Sequence, residues 1–134
     1  MYDNIRIIIA PIILLFIYSC EDMATNVTGS ENVNEIANVS FSNIEKTLTQ
    51  NGLKVTGIIT NNNQTLSISP PWYIECQFYY ENSSGNTFLI GGANTSINNS
   101  LSPGISLEWT LTHQTNNPED YANFTINELR AYKN

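Results

Sequence analysis

The apolar and polar positions along the chain divide it into three parts. An almost unbroken apolar run covers residues 7–18, and an acidic, polar segment without apolar periodicity covers 20–35. From residue 36 onward, short stretches alternate apolar and polar side chains and are separated by turn-forming residues. Alternation with a period of two is the pattern of half-buried β-strands. The pattern therefore predicts a leading segment over 1–19, a flexible tether over 20–35 and one folded β domain over 36–134.

The folded domain is predicted to contain six or seven short strands, among them Val39–Leu48, Leu53–Thr60, Trp72–Tyr80, Thr87–Ile90, Ser106–Thr112 and Ala122–Ile126. Asn51-Gly52 is the preferred pair for a type I′ hairpin, in which both residues take positive φ. Gly91-Gly92 is expected to end the fourth strand, and a break in the alternation at Asn127-Glu128 predicts a bulge or the end of pairing. This many short strands in one domain favour an antiparallel immunoglobulin-like β-sandwich.

The apolar run Ile7–Tyr18 is typical of a secretory signal peptide. It is shorter than the roughly 20 residues that a transmembrane helix needs. It also follows the cationic Arg6 and ends at the small Ser19, as the parts of a signal peptide do. A buried strand or helix is the alternative.

A cysteine follows Ser19 directly. Ile17-Tyr18-Ser19-Cys20 resembles a bacterial lipobox, apolar at its first position and small at its third. The resemblance implies cleavage before Cys20 and diacylation of its sulfur, so that acyl chains hold the mature protein on a membrane. Glu21-Asp22 resembles the acidic export tag of surface lipoproteins of Bacteroidota, with ordinary solubilising charges as the alternative. Together they imply an outer-membrane protein whose domain faces the periplasm or the cell surface.

The charge balance excludes some partners. The formal net charge is −7 at pH 7, and removing residues 1–19 leaves it unchanged because Asp3 and Arg6 cancel. A chain this acidic, without a basic cluster, argues against nucleic acid. No phosphate-binding glycine motif or calcium-loop spacing is found, so we expect no cofactor and no metal. The length predicts one domain, which we expect to be monomeric.

Cys76 is expected to be a packing residue. If Cys20 carries lipid, Cys76 has no disulfide partner. It falls on the same alternating face as Ile74 and Phe78, which predicts a buried and inert thiol. A reactive thiol is the alternative, but it would need an electropositive, partly exposed setting.

Three short motifs also suggest a family. They are "V-x-G-x-x-x-N" at Val55, Gly57 and Asn61, Tyr80-Glu81 at the end of an alternating strand, and "L-S-P-G" at Leu101–Gly104 before Trp109. Their order resembles the FxLYD-type β-sandwich domain of bacterial exported proteins. The resemblance covers most of residues 37–132 and implies the same sandwich fold.

Aromatic residues predict a binding surface. Pro70-Pro71 leads into Trp72 and Tyr73 at a strand entrance, and Tyr79 lies opposite the apolar face of the same strand. Exposed aromatic rings on a sheet suit contact with sugars or proteins. We therefore predict a binding surface formed by Trp72, Tyr73 and Tyr79. Core packing, above all of Trp72, is the alternative.

Residues for catalysis are sparse. His113, the sole histidine, precedes Glu119 and Asp120 in a predicted loop, so a hydrolase site or a metal site can be imagined there. A solvated loop is the alternative. Glu75 and Glu108 are predicted to point outward and could form a glycosidase-type pair if their strands are neighbours, with surface solubility as the alternative.

The sequence therefore predicts a lipid-anchored cell-envelope protein whose β-sandwich is a non-catalytic binding or assembly module for a protein or glycan partner. One alternative is a small envelope hydrolase that uses His113 with Glu119 or Asp120. A purely structural spacer within an envelope complex is another.

Overall fold

Seven antiparallel strands and one short 3₁₀ helix build the domain in the computed structural model, which describes residues 33–134. The strands are β1 (Asn34–Glu35), β2 (Val39–Thr49), β3 (Gly52–Asn61), β4 (Trp72–Glu81), β5 (Thr87–Ile97), β6 (Ser106–Gln114) and β7 (Thr125–Lys133), and the 3₁₀ helix is Pro118–Tyr121. They form a four-stranded sheet in the order β1-β7-β4-β5 and a three-stranded sheet in the order β2-β3-β6. The predicted all-β sandwich is confirmed.

The predicted signal peptide over 1–19, Cys20 and most of the tether lie outside the described residues. The end of the predicted tether is part of the sheet, because Asn34 and Glu35 pair with Lys133 and Tyr132 of β7. Within residues 33–134, no helix is long and apolar enough to cross a membrane.

The core lies between the two sheets and is built mainly from alternate residues of the strands, with Ile68, Leu101 and Phe124 added from the connections. Its buried apolar members are Leu53, Val55, Ile59, Ile68, Trp72, Ile74, Cys76, Phe78, Leu101, Trp109, Leu111, Phe124 and Ala131. Burying one large aliphatic or aromatic side chain stabilises a fold by about 1.5–3 kcal/mol. Burial of the apolar side chains that alternate along the strands therefore supplies the main driving force for folding of this sandwich.

The β2–β3 hairpin differs from its prediction. Thr49 pairs with Gly52, so the two residues of the turn are Gln50 and Asn51. Neither Asn51 nor Gly52 has positive φ, so the predicted type I′ turn is wrong. A Cβ on Gly52 would lie 2.3 Å from the backbone oxygen of His113. Glycine is needed here because β6 approaches closely.

Strand β5 is longer than predicted. It continues through Gly91-Gly92 to Ile97 and pairs with β4 as far as Trp72, so the expected strand end is wrong. A Cβ on Gly91 would lie 2.3 Å from Cε1 of His113. The missing side chain at position 91 makes room for the imidazole ring and does not end the strand.

Strand β7 begins at Thr125, three residues later than predicted, and contains the predicted bulge. Its pairing with β4 shifts register between Gln77↔Asn127 and Glu75↔Arg130. Glu128 lies in this shift and has a φ of 52°. The broken alternation at Asn127-Glu128 therefore marks a β-bulge within a continuous strand.

One buried amide joins the motif residues at one end of the sandwich. The Nδ2 of Asn61, at the end of β3, donates to the carbonyl oxygens of Leu66 and Leu101, both at 2.9 Å. Its Oδ1 accepts from the backbone N (3.0 Å) and the Nδ2 (2.8 Å) of Asn63. The backbone oxygen of Asn61 accepts from the N of Gly104 at 2.7 Å. Asn61 thereby holds "L-S-P-G" against the end of β3.

Candidate binding surface

The predicted surface lies on β4, the strand between β7 and β5. Its inward residues are Trp72, Ile74, Cys76 and Phe78, all of which belong to the core cluster. Successive side chains of a strand point to opposite faces. The residues that face away from the core are therefore Tyr73, Glu75, Gln77 and Tyr79, which we call the outer face of β4.

Trp72 is not part of that face. Its side chain is 0% exposed, and its indole Nε1 donates to the carbonyl oxygen of Asn99 at 2.9 Å. The prediction of Trp72 in an exposed aromatic surface is wrong, and the core-packing alternative holds. The alternation already indicated this, because Trp72 shares the phase of Ile74.

Tyr73 packs on a second tyrosine that the sequence did not indicate. It pairs in register with Tyr132 of β7, and the two rings stack with centroids 5.2 Å apart and an interplanar angle of 21°. Tyr132 is buried and Tyr73 is half-buried. Burial, followed by the nearby charge of Glu75, raises the pKa of Tyr132, so this phenol stays protonated at neutral pH.

Glu75 lies next to these rings and is buried although it faces away from the core. It is 2% exposed, and its Oε1 accepts a hydrogen bond from Nε of Arg130 at 2.5 Å. Its other oxygen, Oε2, is buried without a hydrogen-bond partner. The outward direction was predicted correctly, but the solubilising role was wrong.

Glu75 and Glu108 do not form a pair. Glu108 is exposed on β6, in the three-stranded sheet, whereas Glu75 belongs to the four-stranded sheet. Each faces away from the core between the sheets, so the two carboxylates point in opposite directions. The predicted glycosidase-type arrangement is wrong, because β4 and β6 are not neighbours in one sheet.

The far end of the outer face holds the second predicted tyrosine. The Oη of half-buried Tyr79 is hydrogen-bonded to Oε1 of Gln77, which is 7% exposed. Tyr79 lies six positions after Tyr73 along the strand, so their Cα atoms are about 20 Å apart. The outer face of β4 therefore carries a tyrosine at each end and buried polar groups between them.

His113 lies in strand β6 and not in the predicted loop. Its half-buried ring has its centroid 5.7 Å from that of Phe78, and its Nδ1 is 3.2 Å from the carbonyl oxygen of Gly92. Glu119 and Asp120 are exposed on the 3₁₀ helix. In the described part of the chain, no hydrogen bond or ion pair joins them to His113. The structure therefore does not assemble the three side chains of the hydrolase alternative.

No metal site is assembled either. Among residues 33–134, no group of three or more His, Cys, Asp or Glu side chains is placed to hold a metal ion.

Cys76 is buried in the core, as predicted. Burial, followed by the negative charge of the adjacent Glu75, raises the pKa of the Cys76 thiol to about 12. A thiol with this pKa stays protonated at neutral pH, which makes it a poor nucleophile.

Comparison of the chain with protein-family models, with curated proteins and with solved structures finds no match. Function has to be inferred from the residues themselves.

Proposed function

We propose that this protein is a lipid-anchored protein of the cell envelope whose β-sandwich is a non-catalytic binding or assembly module for a protein or glycan partner. The main support for a binding module is the unusual burial of polar residues on the outer face of β4. Outward faces of antiparallel sheets normally carry solvated polar residues. Here Glu75 and Gln77 are buried, and Tyr73 and Tyr79 flank them.

The composition of this face favours contact with a partner. Tyrosine combines a large apolar ring with a polar hydroxyl, and it is enriched in interfaces for that reason. Polar side chains that are already held in place, as Glu75 is by Arg130 and Gln77 by Tyr79, lose little conformational freedom when a partner binds. The face is therefore largely organised before binding.

The anchor is proposed from the sequence. Ile17–Cys20 resembles a lipobox, and the acidic residues after Cys20 resemble an export tag, and both resemblances support a location at the outer membrane. Two or more acyl chains are enough to hold a protein on a bilayer, since each buried methylene contributes about 0.8 kcal/mol. The segment over 20–33 would then separate the sandwich from the membrane. The motif order also supports an FxLYD-type domain.

The test is a pull-down from native envelopes with the full-length protein, comparing Tyr73→Ala and Tyr79→Ala with a matched control. Phe88→Ala is that control, because it also removes an exposed aromatic ring: Phe88 is 52% exposed on β5. It pairs with Tyr80 of β4, so it lies on the opposite side of the sheet from Tyr73 and Tyr79. We expect each tyrosine variant to fold and to recover less of a partner that Phe88→Ala still recovers. Equal recovery by all the variants would refute the proposed surface.

A further inference from the structure

The outer face of β4 contains one buried acceptor that the described chain leaves without a donor. The side chain of Glu75 is 3% exposed, and its Oε2 has no hydrogen-bond partner. Leaving a buried acceptor unsatisfied is costly, and such groups are rare in native proteins. Ile74 and Cys76 fill the inner side of β4, so a donor for this oxygen has to come from the outer face.

The donor that this oxygen requires is neutral. Arg130 already places a guanidinium on Oε1 of the same carboxylate at 2.5 Å, and it compensates the negative charge. A second cation would gain little from a pair that is already neutral. A hydroxyl group supplies the hydrogen bond without adding charge.

The neighbours of Glu75 suit the rest of a hydroxyl-rich ligand. The ring of Tyr73 is backed by Tyr132, which fixes its orientation, and a fixed ring can pack against the C–H groups of a sugar. On the β5 side, the exposed Asn94 pairs with Glu75 and adds amide donors and an acceptor. Aromatic surface beside planar polar groups is a combination that can recognise a sugar.

We propose that the outer face of β4 binds a saccharide, with Oε2 of Glu75 accepting a hydrogen bond from a sugar hydroxyl and the Tyr73 ring packing against the sugar. Because Oε2 is buried, a side chain beside it has to move before a hydroxyl can reach it. This inference rests on the proposed function, since it names the ligand class of the same surface.

The test is isothermal titration calorimetry of the full-length protein in detergent. The probes are maltohexaose, cellohexaose, chitohexaose, xylohexaose and mannohexaose, with tetralysine as a cationic peptide. Glu75→Gln keeps the shape of the side chain and replaces one oxygen by an amide nitrogen. Tyr73→Ala removes the ring. The matched controls are Glu108→Gln, an exposed carboxylate on the other sheet, and Phe88→Ala.

Asn94→Trp gives a second route to the same answer if Glu75→Gln fails to fold. Asn94 is exposed, so a bulky side chain there covers Glu75 without entering the core. Tryptophan fluorescence and circular dichroism verify the fold of every variant.

We expect at least one hexasaccharide to bind. Its Kd should rise at least about tenfold in Tyr73→Ala, Glu75→Gln and Asn94→Trp and stay within about twofold in both controls. Saccharide binding that all three variants retain would overturn the site.

Absence of saccharide binding would overturn the ligand class. If tetralysine then bound in a Tyr73-dependent manner, the proposed binding surface would stand with a cationic protein as its partner. If no probe bound and the envelope pull-down were equal in all variants, both proposals would fail.

Discussion

Replacing Asn61 by aspartate should destabilise the sandwich strongly, although the two side chains have almost the same shape. Asn61 is 0% exposed, and its Nδ2 donates to the carbonyl oxygens of Leu66 and Leu101 at 2.9 Å. In Asn61→Asp both hydrogen bonds are lost, and a carboxylate oxygen faces two carbonyl oxygens. The other carboxylate oxygen can still accept from Asn63, as Oδ1 does now.

The expected loss follows from these contacts. Each lost hydrogen bond costs about 1 kcal/mol, and a buried oxygen without a donor adds about 1–3 kcal/mol, so the free energy of unfolding should fall by about 3–5 kcal/mol. The free energy of unfolding of a whole domain is about 5–15 kcal/mol, so the variant would be partly unfolded or close to it.

The assay is urea unfolding monitored by the fluorescence of Trp72 and Trp109, which are both buried. Asn62→Asp is the matched control, because it makes the same chemical change at the next residue, which is exposed. Its free energy of unfolding should change by no more than about 0.5 kcal/mol. An Asn61→Asp variant that is no less stable than Asn62→Asp would refute the role assigned to this amide.

Two further predictions concern the core. Gly91→Ala should lower the free energy of unfolding by about 1–3 kcal/mol because its Cβ would lie 2.3 Å from the ring of His113. In a His113→Ala background the same change should cost much less, and an equal cost in both would contradict the packing. Cys76 should resist thiol labelling in the native state at mildly alkaline pH and react in urea, because folding raises the pKa of its thiol from 9.0 to about 12. Equally fast labelling of the native and the unfolded protein would contradict the buried thiol. For the same reason, the free energy of unfolding should fall as the pH rises through that interval, since only the unfolded thiol releases its proton there.

The fold was predictable because period-two alternation directly reports which side chains a sandwich buries. Leu53, Val55 and Ile59 face the core for that reason. The turn and strand ends were less predictable, because a glycine has several uses. Gly52 and Gly91 looked like a turn residue and a strand end, yet both make room for His113. The close approach of His113 to these glycines depends on the position of β6 in the fold, and His113 lies more than 20 residues away from either glycine in sequence.

The candidate surface was only partly predictable. Alternation placed Tyr73 and Tyr79 on one face of β4. The burial of Glu75 on that face could not be read from the sequence of β4 alone, because the partner of Glu75 is Arg130, 55 residues further along the chain. The bulge in β7 also changes the phase of its alternation, so the sequence did not show that Tyr132 would lie beside Tyr73.

The most direct test of the proposed lipid anchor is the intact mass of the full-length gene product extracted from membranes of its native host, beside a Cys20→Ala variant. A tethered module requires a mature chain that starts at Cys20 and carries additional acyl mass, and a variant that lacks this mass. Protease shaving of intact cells would then show which side of the membrane the sandwich faces. A wild-type chain that retains Met1, or that is cut elsewhere and carries no lipid, would show that the protein is not lipid-anchored at Cys20.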